Sequence, residues 1–354
     1  MRLDEPVWWY GQAPDVRARL LAPLGALYGW VAKSRYLRRQ PYRSRFPVIC
    51  VGNFTAGGTG KTPLAIAIAR LLLQRGIAPV FLTRGYGGSD AGPAWVEEGP
   101  SAARRFGDEP LLLARVAPTL VARDRSAGAR AIEASGRKVG AVIMDDGLQN
   151  PSLAKDLSIA VVDGSRGLGN GEVIPAGPLR APFDFQLGLV DAIVVREPEE
   201  DGVAAAGVHE RMRRGFPGPV LAARVGPSGD TAWLADRSFV AFAGIANPER
   251  FFALAERLGA RVLERVAFPD HHVFSRADAG RLLALAKVKA CDLVTTEKDW
   301  ARLAGAAGAG ELLRGARTLG IEMVFEKRDL SRLVSLIDAA SLNQTYPRTR
   351  PPQP

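Results

Sequence analysis

Cysteine is nearly absent: the 354-residue chain has two, Cys50 and Cys291, far apart and in no CxxC spacing. That excludes a disulfide framework and a thiolate metal site, and it fits a reducing compartment. Histidine is also scarce, with three residues, two of them adjacent as His271-His272, so a zinc centre has few ligands to draw on. Acids number 37 against 47 bases, mostly arginine, leaving a net charge of +10. Anionic partners suit that balance, whether nucleic acid, acidic lipid surface or phosphorylated substrate, and charge alone does not choose among them. No cleavable leader is expected, since Asp4 and Glu5 stand where a basic n-region would and no A-x-A site follows. The N-terminal uncharged stretch Leu20–Ala32 is 13 residues. As helix that is about 20 Å, against the ~30 Å of a bilayer core, so it cannot span. What remains is an ordinary soluble composition, 47% apolar and 24% charged, long enough for two domains.

The most informative stretch is Pro47-Val-Ile-Cys-Val-Gly-Asn-Phe-Thr-Ala-Gly-Gly-Thr-Gly-Lys-Thr62. It reads as a buried strand, a glycine-rich loop and a helix opening at Thr62 and running on through Leu64-Ala-Ile-Ala-Ile-Ala-Arg-Leu-Leu-Leu. Gly57, Gly58 and Gly60 let backbone N–H groups converge on an anion. The helix N-terminus and Lys61 add positive charge, and the Thr62 hydroxyl can ligate Mg²⁺. Thr55 occupies the first position of GxxxxGK[ST], where glycine is usual. Thr55, Ala56, Gly57, Gly58, Thr59, Gly60, Lys61 and Thr62 are therefore the expected triphosphate cradle.

Before the loop, Trp8-Trp9-Tyr10 precedes a helical segment in which Val16, Leu20, Leu24, Leu27, Tyr28 and Val31 share one apolar face. Lys33, Arg35, Arg38, Arg39, Arg43 and Arg45 follow with no acid among them. The pattern suits either an amphipathic helix lying on an anionic membrane or a helix packed on the domain beside a solvated basic loop. After the loop, strands are expected at Pro79–Arg84, Thr119–Ala122, Gly140–Met144, Leu157–Val162 and Val190–Val195, alternating with helices. That alternation predicts an α/β fold: a P-loop NTPase-type parallel sheet covered by helices, with ligands beyond the carboxyl ends of the strands. A second, smaller α/β unit starts near Phe239 and includes strands at Val262–Phe268, Asp292–Thr296 and Ile321–Phe325. The expected division is 1–46 N-terminal helix and basic segment, 47–235 P-loop domain, 236–342 smaller domain, and 343–354 disordered tail.

Asp145-Asp146 closes an apolar strand, the place of a carboxylate that holds Mg²⁺ beside a P-loop. Either of the two could face the metal. The pair His271-His272 and the stretch Gly107-Asp108-Glu109-Pro110 stay undecided on physics alone, one as polar loop, the other as helix capping.

Taken in order, Asn53-Phe-Thr-Ala-Gly-Gly-Thr-Gly-Lys-Thr-Pro63, Arg84-Gly-Tyr-Gly, Gly107-Asp-Glu-Pro, Asp145-Asp-Gly-Leu-Gln, Asp163-Gly and Pro175-Ala-Gly-Pro-Leu-Arg180 resemble the tetraacyldisaccharide 4′-kinase family of lipid A biosynthesis. Phe242-Ala-Gly-Ile-Ala-Asn-Pro248, Phe268-Pro-Asp-His-His and Thr295-Thr-Glu-Lys-Asp299 continue the resemblance, which covers about residues 8 to 335. It implies two α/β domains, the smaller closing over the active site, and a kinase using ATP and Mg²⁺. The acceptor would be the 4′-hydroxyl of an acylated glucosamine disaccharide 1-phosphate lipid. It also implies peripheral or monotopic attachment to the anionic surface of the bacterial inner membrane, on its cytoplasmic face. By motif, Asp108 would be the catalytic base and His271 would orient it. Asn53, Tyr86, Glu109, Arg125 and Arg180 would lie near substrate or phosphates. Two positions depart from the family pattern: Asn150 stands where histidine is frequent, and Ala181 where glutamate is, leaving Arg180 without that carboxylate. Alternative readings are a P-loop GTPase or ATPase switch, a metallochaperone-like protein and a nucleic-acid binder. Thr296-Glu-Lys-Asp299 has the wrong spacing for a guanine-reading loop, and the arginines cluster beside an apolar helix rather than in a groove-reading motif. Neither a nucleic acid nor a protein partner is expected.

Overall fold

The computed structural model describes residues 5–11, 13–97, 99, 101–197, 203–245, 247–270, 272–306 and 308–341. His271 and the tail expected at 343–354 lie outside these. Among the described residues there are thirteen strands. They begin with β1 (Val48–Gly52), β2 (Pro79–Thr83), β3 (Ala94–Trp95), β4 (Thr119–Val121), β5 (Ala141–Asp145) and β6 (Leu157–Asp163). Then come β7 (Ala192–Arg196), β8 (Val220–Pro227), β9 (Ser238–Ala243), β10 (Arg261–Ala267), β11 (Asp292–Thr296), β12 (Ala316–Leu319) and β13 (Ile321–Phe325).

The chain forms two compact units, each drawn from separated stretches. One comprises the residues up to Arg84, Ala122–Val225 and those from Met323 on; the other comprises Gly85–Val121 and Gly226–Glu322.

In the first unit, strands lie in the order β8-β7-β6-β1-β5-β2, every ladder parallel. β1, β2, β5 and β6 are buried at every residue, which is why they read as unbroken apolar runs: helices cover both faces. Helix Lys61–Gln74 buries Leu64, Ala65, Ile68, Ala69 and Leu72, spaced to keep one face inward. Helix Lys327–Ser341 returns to this unit rather than to the second. Its Asp338 accepts from Arg75 Nε at 2.8 Å, and its Asp329 accepts the Ala222 N–H at 2.9 Å.

The N-terminal helix spans Val16–Leu37, capped by Asp15, whose carboxylate accepts the Ala18 N–H at 2.9 Å. Its inward face is made of small residues, Ala18, Gly25 and Gly29. A Cβ on Gly25 would sit 2.7 Å from the Val173 carbonyl oxygen, so the close approach needs glycine there. The leucines expected to form an apolar face do share one, and they point outward: Leu20 is 76% exposed and Trp30 61%.

The second unit holds a parallel sheet in the order β10-β9-β11-β12. Along β9, Phe239, Ala241 and Ala243 enter one core cluster and Val240 and Phe242 another, the period of two expected of a strand buried on both faces. The antiparallel pair β3–β4 and helix Asp108–Ala114 also belong here. Residues 85–121 were expected in the P-loop domain. They group instead with the second unit because Phe106, Leu111 and Leu112 form a core cluster with Ala301.

Candidate active site

β1 hands the chain to the loop at Gly52, and Asn53 and Phe54 are buried immediately after it. Gly57 (φ +90°) and Gly60 (φ +100°) occupy the left-handed region, which makes the tight turns of the loop. A Cβ on Gly58 would meet nothing within 4 Å, so the loop is open there. Lys61 folds back over it, its Nζ donating to the Gly57 carbonyl at 3.4 Å. Thr59 Oγ1 is buried with no hydrogen-bond partner among the described residues. These features fit a polyphosphate: an unpartnered hydroxyl, a cation and a helix N-terminus meet along one loop.

Asp145 ends β5, beside β1, and Asp146 follows with φ +51°. Asp146 Oδ1 lies 3.9 Å from Lys61 Nζ and 2.7 Å from Arg180 Nη1. Burial alone would raise the Asp146 carboxyl, but the Lys61 and Arg180 cations outweigh it and hold it below the usual carboxylate range. Arg180 Nε also donates to the Thr55 carbonyl at 3.0 Å. With Ala56 N–H to Pro178 C=O at 2.8 Å and Arg180 N–H to Phe54 C=O at 2.9 Å, the Pro175–Arg180 stretch is laced to the P-loop. The sequence led to the expectation that Ala181 leaves the charge of Arg180 less balanced; Asp146 supplies a carboxylate to it instead. Asn150 closes a local turn, its Oδ1 accepting the N–H and hydroxyl of Ser152 at 2.9 and 2.7 Å.

Two residues expected at the substrate are placed as braces. Asn53 is fully buried, its Nδ2 donating to Gly57 C=O at 3.4 Å. Arg125, 2% exposed, donates to the carbonyls of Ala122 and Asp145, beneath the paired acids. Burial pushes its guanidinium down to about 10. Sequence reasoning missed a third brace. Gln186, with no accessible surface, donates to Phe54 C=O at 3.2 Å and accepts from Gln149 Nε2 at 2.6 Å. A lone glutamine in Phe183-Asp-Phe-Gln-Leu187 carries no signal of that. Asp163 and Arg196, at the ends of β6 and β7, form a buried ion pair beside Gly60.

The second unit carries Tyr86, 60% exposed, and Asp108 and Glu109 in the first turn of helix Asp108–Ala114. Gly107 (φ +89°) precedes them, and a Cβ there would meet the Tyr86 carbonyl oxygen at 2.3 Å. That contact joins the two glycine motifs of the sequence. Asp108 Oδ2 receives Arg302 Nε at 2.7 Å, and Glu109 lies 3.7 Å from Lys298 Nζ. His272 is structural, stacked on Phe268 at 4.6 Å with Nε2 3.0 Å from Asp278.

Thr62, Asp145 and Asp146 offer hard oxygen donors of the kind Mg²⁺ takes together with phosphate oxygens. Among the described residues no group of three or more His, Cys, Asp or Glu could hold a metal. Such a donor set fits a magnesium ion that arrives with a nucleotide.

Glycine loop, lysine, threonine and paired acids on an adjacent parallel strand define a P-loop phosphotransferase-type protein. The model of the tetraacyldisaccharide-1-P 4′-kinase family matches residues 17–338. The chain is 51% identical over 298 residues to the tetraacyldisaccharide 4′-kinase of Paramagnetospirillum magneticum, covering 84% of this chain and 89% of that protein. It is 50% identical over 304 residues to that of Methylorubrum extorquens, covering 86% and 90%. Its fold is similar to that of a crystal structure of "apo" form LpxK from Aquifex aeolicus in complex with ATP (TM-score 0.69, 24% identity, 93% of this chain and 99% of that one). The chain belongs to the tetraacyldisaccharide 4′-kinase family and is a kinase of lipid A biosynthesis.

Proposed function

We propose that the chain transfers the γ-phosphoryl group of ATP to the 4′-hydroxyl of tetraacyldisaccharide 1-phosphate, an acylated glucosamine disaccharide lipid. The observation that carries this reading is the P-loop site itself: Lys61 and the Asp145–Asp146 turn stand at the carboxyl ends of adjacent strands, 3.9 Å apart at closest. The backbone from Thr55 to Thr62 would cradle the phosphates, and Lys61 would offset charge on the γ-phosphoryl oxygens. Thr62 with Asp145 or Asp146 would hold Mg²⁺, which when bound would offset negative charge on the triphosphate.

Asp108 would accept the proton of the 4′-hydroxyl as its oxygen attacks phosphorus and ADP leaves with the electron pair of the broken P–O bond. His271 would orient that base. Tyr86 and Glu109 would meet the sugar or its phosphate. Arg180, Arg125 and Asn53 support the site from beneath, as their bonds to Asp146, Asp145 and Gly57 suggest.

The N-terminal helix supports attachment to an anionic membrane surface, with outward Leu20, Leu24, Leu27 and Trp30 beside the basic run from Lys33 to Arg39. Attachment would be peripheral, at the cytoplasmic face of the inner membrane; no helix among the described residues is long and apolar enough to cross a membrane. Incubation with the disaccharide 1-phosphate lipid and γ-labelled ATP tests the reading. Label at the 4′ position is expected; unlabelled lipid beside intact ATP would refute it.

A further inference from the structure

In addition to His271, to which the kinase reading gives the task of orienting Asp108, a second side chain is placed to aim the Asp108 carboxylate. Asp108 opens a helix of seven residues whose N-cap, Gly107, has no side chain to cap or steady the turn. That contact comes from helix Glu297–Ala304, whose Arg302 side chain is 4% exposed. Arg302 Nε donates to Asp108 Oδ2 at 2.7 Å, and Nη1 donates to Asp299 Oδ1 at 2.7 Å and to the Gly244 carbonyl. One planar guanidinium thus spends separate edges on two acids and a carbonyl, which fixes its rotation as well as its position.

The anchor is itself built in. Asp299 has no exposed surface, and its Oδ2 accepts the Gly244 N–H at 3.0 Å and the Thr296 hydroxyl at 2.7 Å. Thr296 also caps the helix, accepting the Asp299 N–H at 3.1 Å. A buried guanidinium is tolerated only when such partners satisfy it. The stretch Thr295-Thr-Glu-Lys-Asp299, to which the kinase reading assigned no chemistry, has this task.

We infer that Arg302 is a positioning residue of the phosphoryl transfer, aiming the Asp108 carboxylate from an anchor formed by Asp299 and Thr296. The inference rests on the reading of Asp108 as the base. Misplacing a reacting group by about 1 Å can cost roughly 10²-fold in rate, so the role should be read in kcat. Lysine keeps the charge at this position but cannot span both acids.

The test is a double-mutant cycle on the full chain, with kcat and KM for ATP and for the lipid measured in each variant. Arg302→Met is expected to lower kcat about 10–100-fold with KM for ATP within about twofold. Asp108→Asn is expected to lower it roughly 10²–10⁴-fold. The double variant should be no slower than Asp108→Asn alone, because an aiming group has nothing left to aim. Arg302→Lys should fail to restore wild-type turnover. If Arg302→Met does not fold, Asp299→Asn replaces it in the cycle, with the same non-additivity expected. Effects that multiply, or an Arg302→Lys variant at wild-type rate, would overturn the role of Arg302 and leave the base standing. Wild-type turnover in Asp108→Asn would instead overturn the base.

Discussion

Arg180 joins the P-loop to the paired acids: Nη1 sits 2.7 Å from Asp146 Oδ1 while Nε donates to Thr55 C=O at 3.0 Å. Removing the side chain frees both partners at once. Arg180→Met should therefore lower kcat/KM for ATP about 10–100-fold, the loss of one or two charge-assisted hydrogen bonds. Steady-state kinetics at fixed lipid concentration measures this, and unchanged kcat/KM would show that the loop holds its shape without the brace.

Lys61 reaches across the loop to Gly57 C=O. Lys61→Ala should abolish detectable transfer, because the migrating phosphoryl group loses its cation. The fold should persist, since helix Lys61–Gln74 is held by Leu64, Ile68 and Leu72. Circular dichroism alongside the kinase assay separates the two effects.

The N-terminal helix has one exposed apolar face and one packed face of small residues. Leu20→Glu together with Leu24→Glu should release the chain from anionic vesicles without unfolding it, as both side chains are more than half exposed. Gly25→Leu acts on the other face, where its Cβ would meet the Val173 carbonyl oxygen at 2.7 Å, and should lower thermal stability. Vesicle flotation and a melting curve distinguish them, and vesicle binding that survives the paired glutamates would argue against membrane attachment through this face.

Burial would raise the Asp278 carboxyl, but the hydroxyl and N–H of Ser275, with His272, outweigh it and bring it down to about 2. A carboxyl that titrates lower in the folded chain contributes stability above its unfolded value near pH 4 and loses it as the pH falls toward 2. Asp278→Asn should cost about 1–2 kcal/mol at pH 7, after allowance for solvent at a partly exposed site. Urea unfolding at pH 7 and pH 3 should show the difference shrinking at the lower pH.

Much of this was legible in the chain because strand and loop signals were local. Val48-Ile-Cys-Val and Ala141-Val-Ile-Met became central parallel strands, and the glycine loop opened a helix one residue from the expected start. β8 was not foreseen, since Val220-Leu-Ala-Ala-Arg-Val has weak strand character outside its neighbour β7. Nor was β12, only four residues long. The placement of the candidate site was legible where it resides in a motif, as at Lys61 and Asp146, which the fold brings within 3.9 Å of each other. It was illegible where a residue works through partners distant in sequence. Gln186 reaches Phe54 across 132 positions and Arg302 reaches Asp108 across 194, and no spacing rule anticipates such pairs.

With the proposed membrane attachment, the small-residue face of the N-terminal helix would have a kinetic consequence. Because Ala18, Gly25 and Gly29 bind the helix to its own unit, the leucine face would be spent on the bilayer without being taken from the fold. An enzyme moored in this way would search for its lipid in two dimensions. Its rate would then follow the mole fraction of substrate in the surface rather than the bulk concentration, and diluting the lipid with inert detergent would slow turnover at constant total substrate.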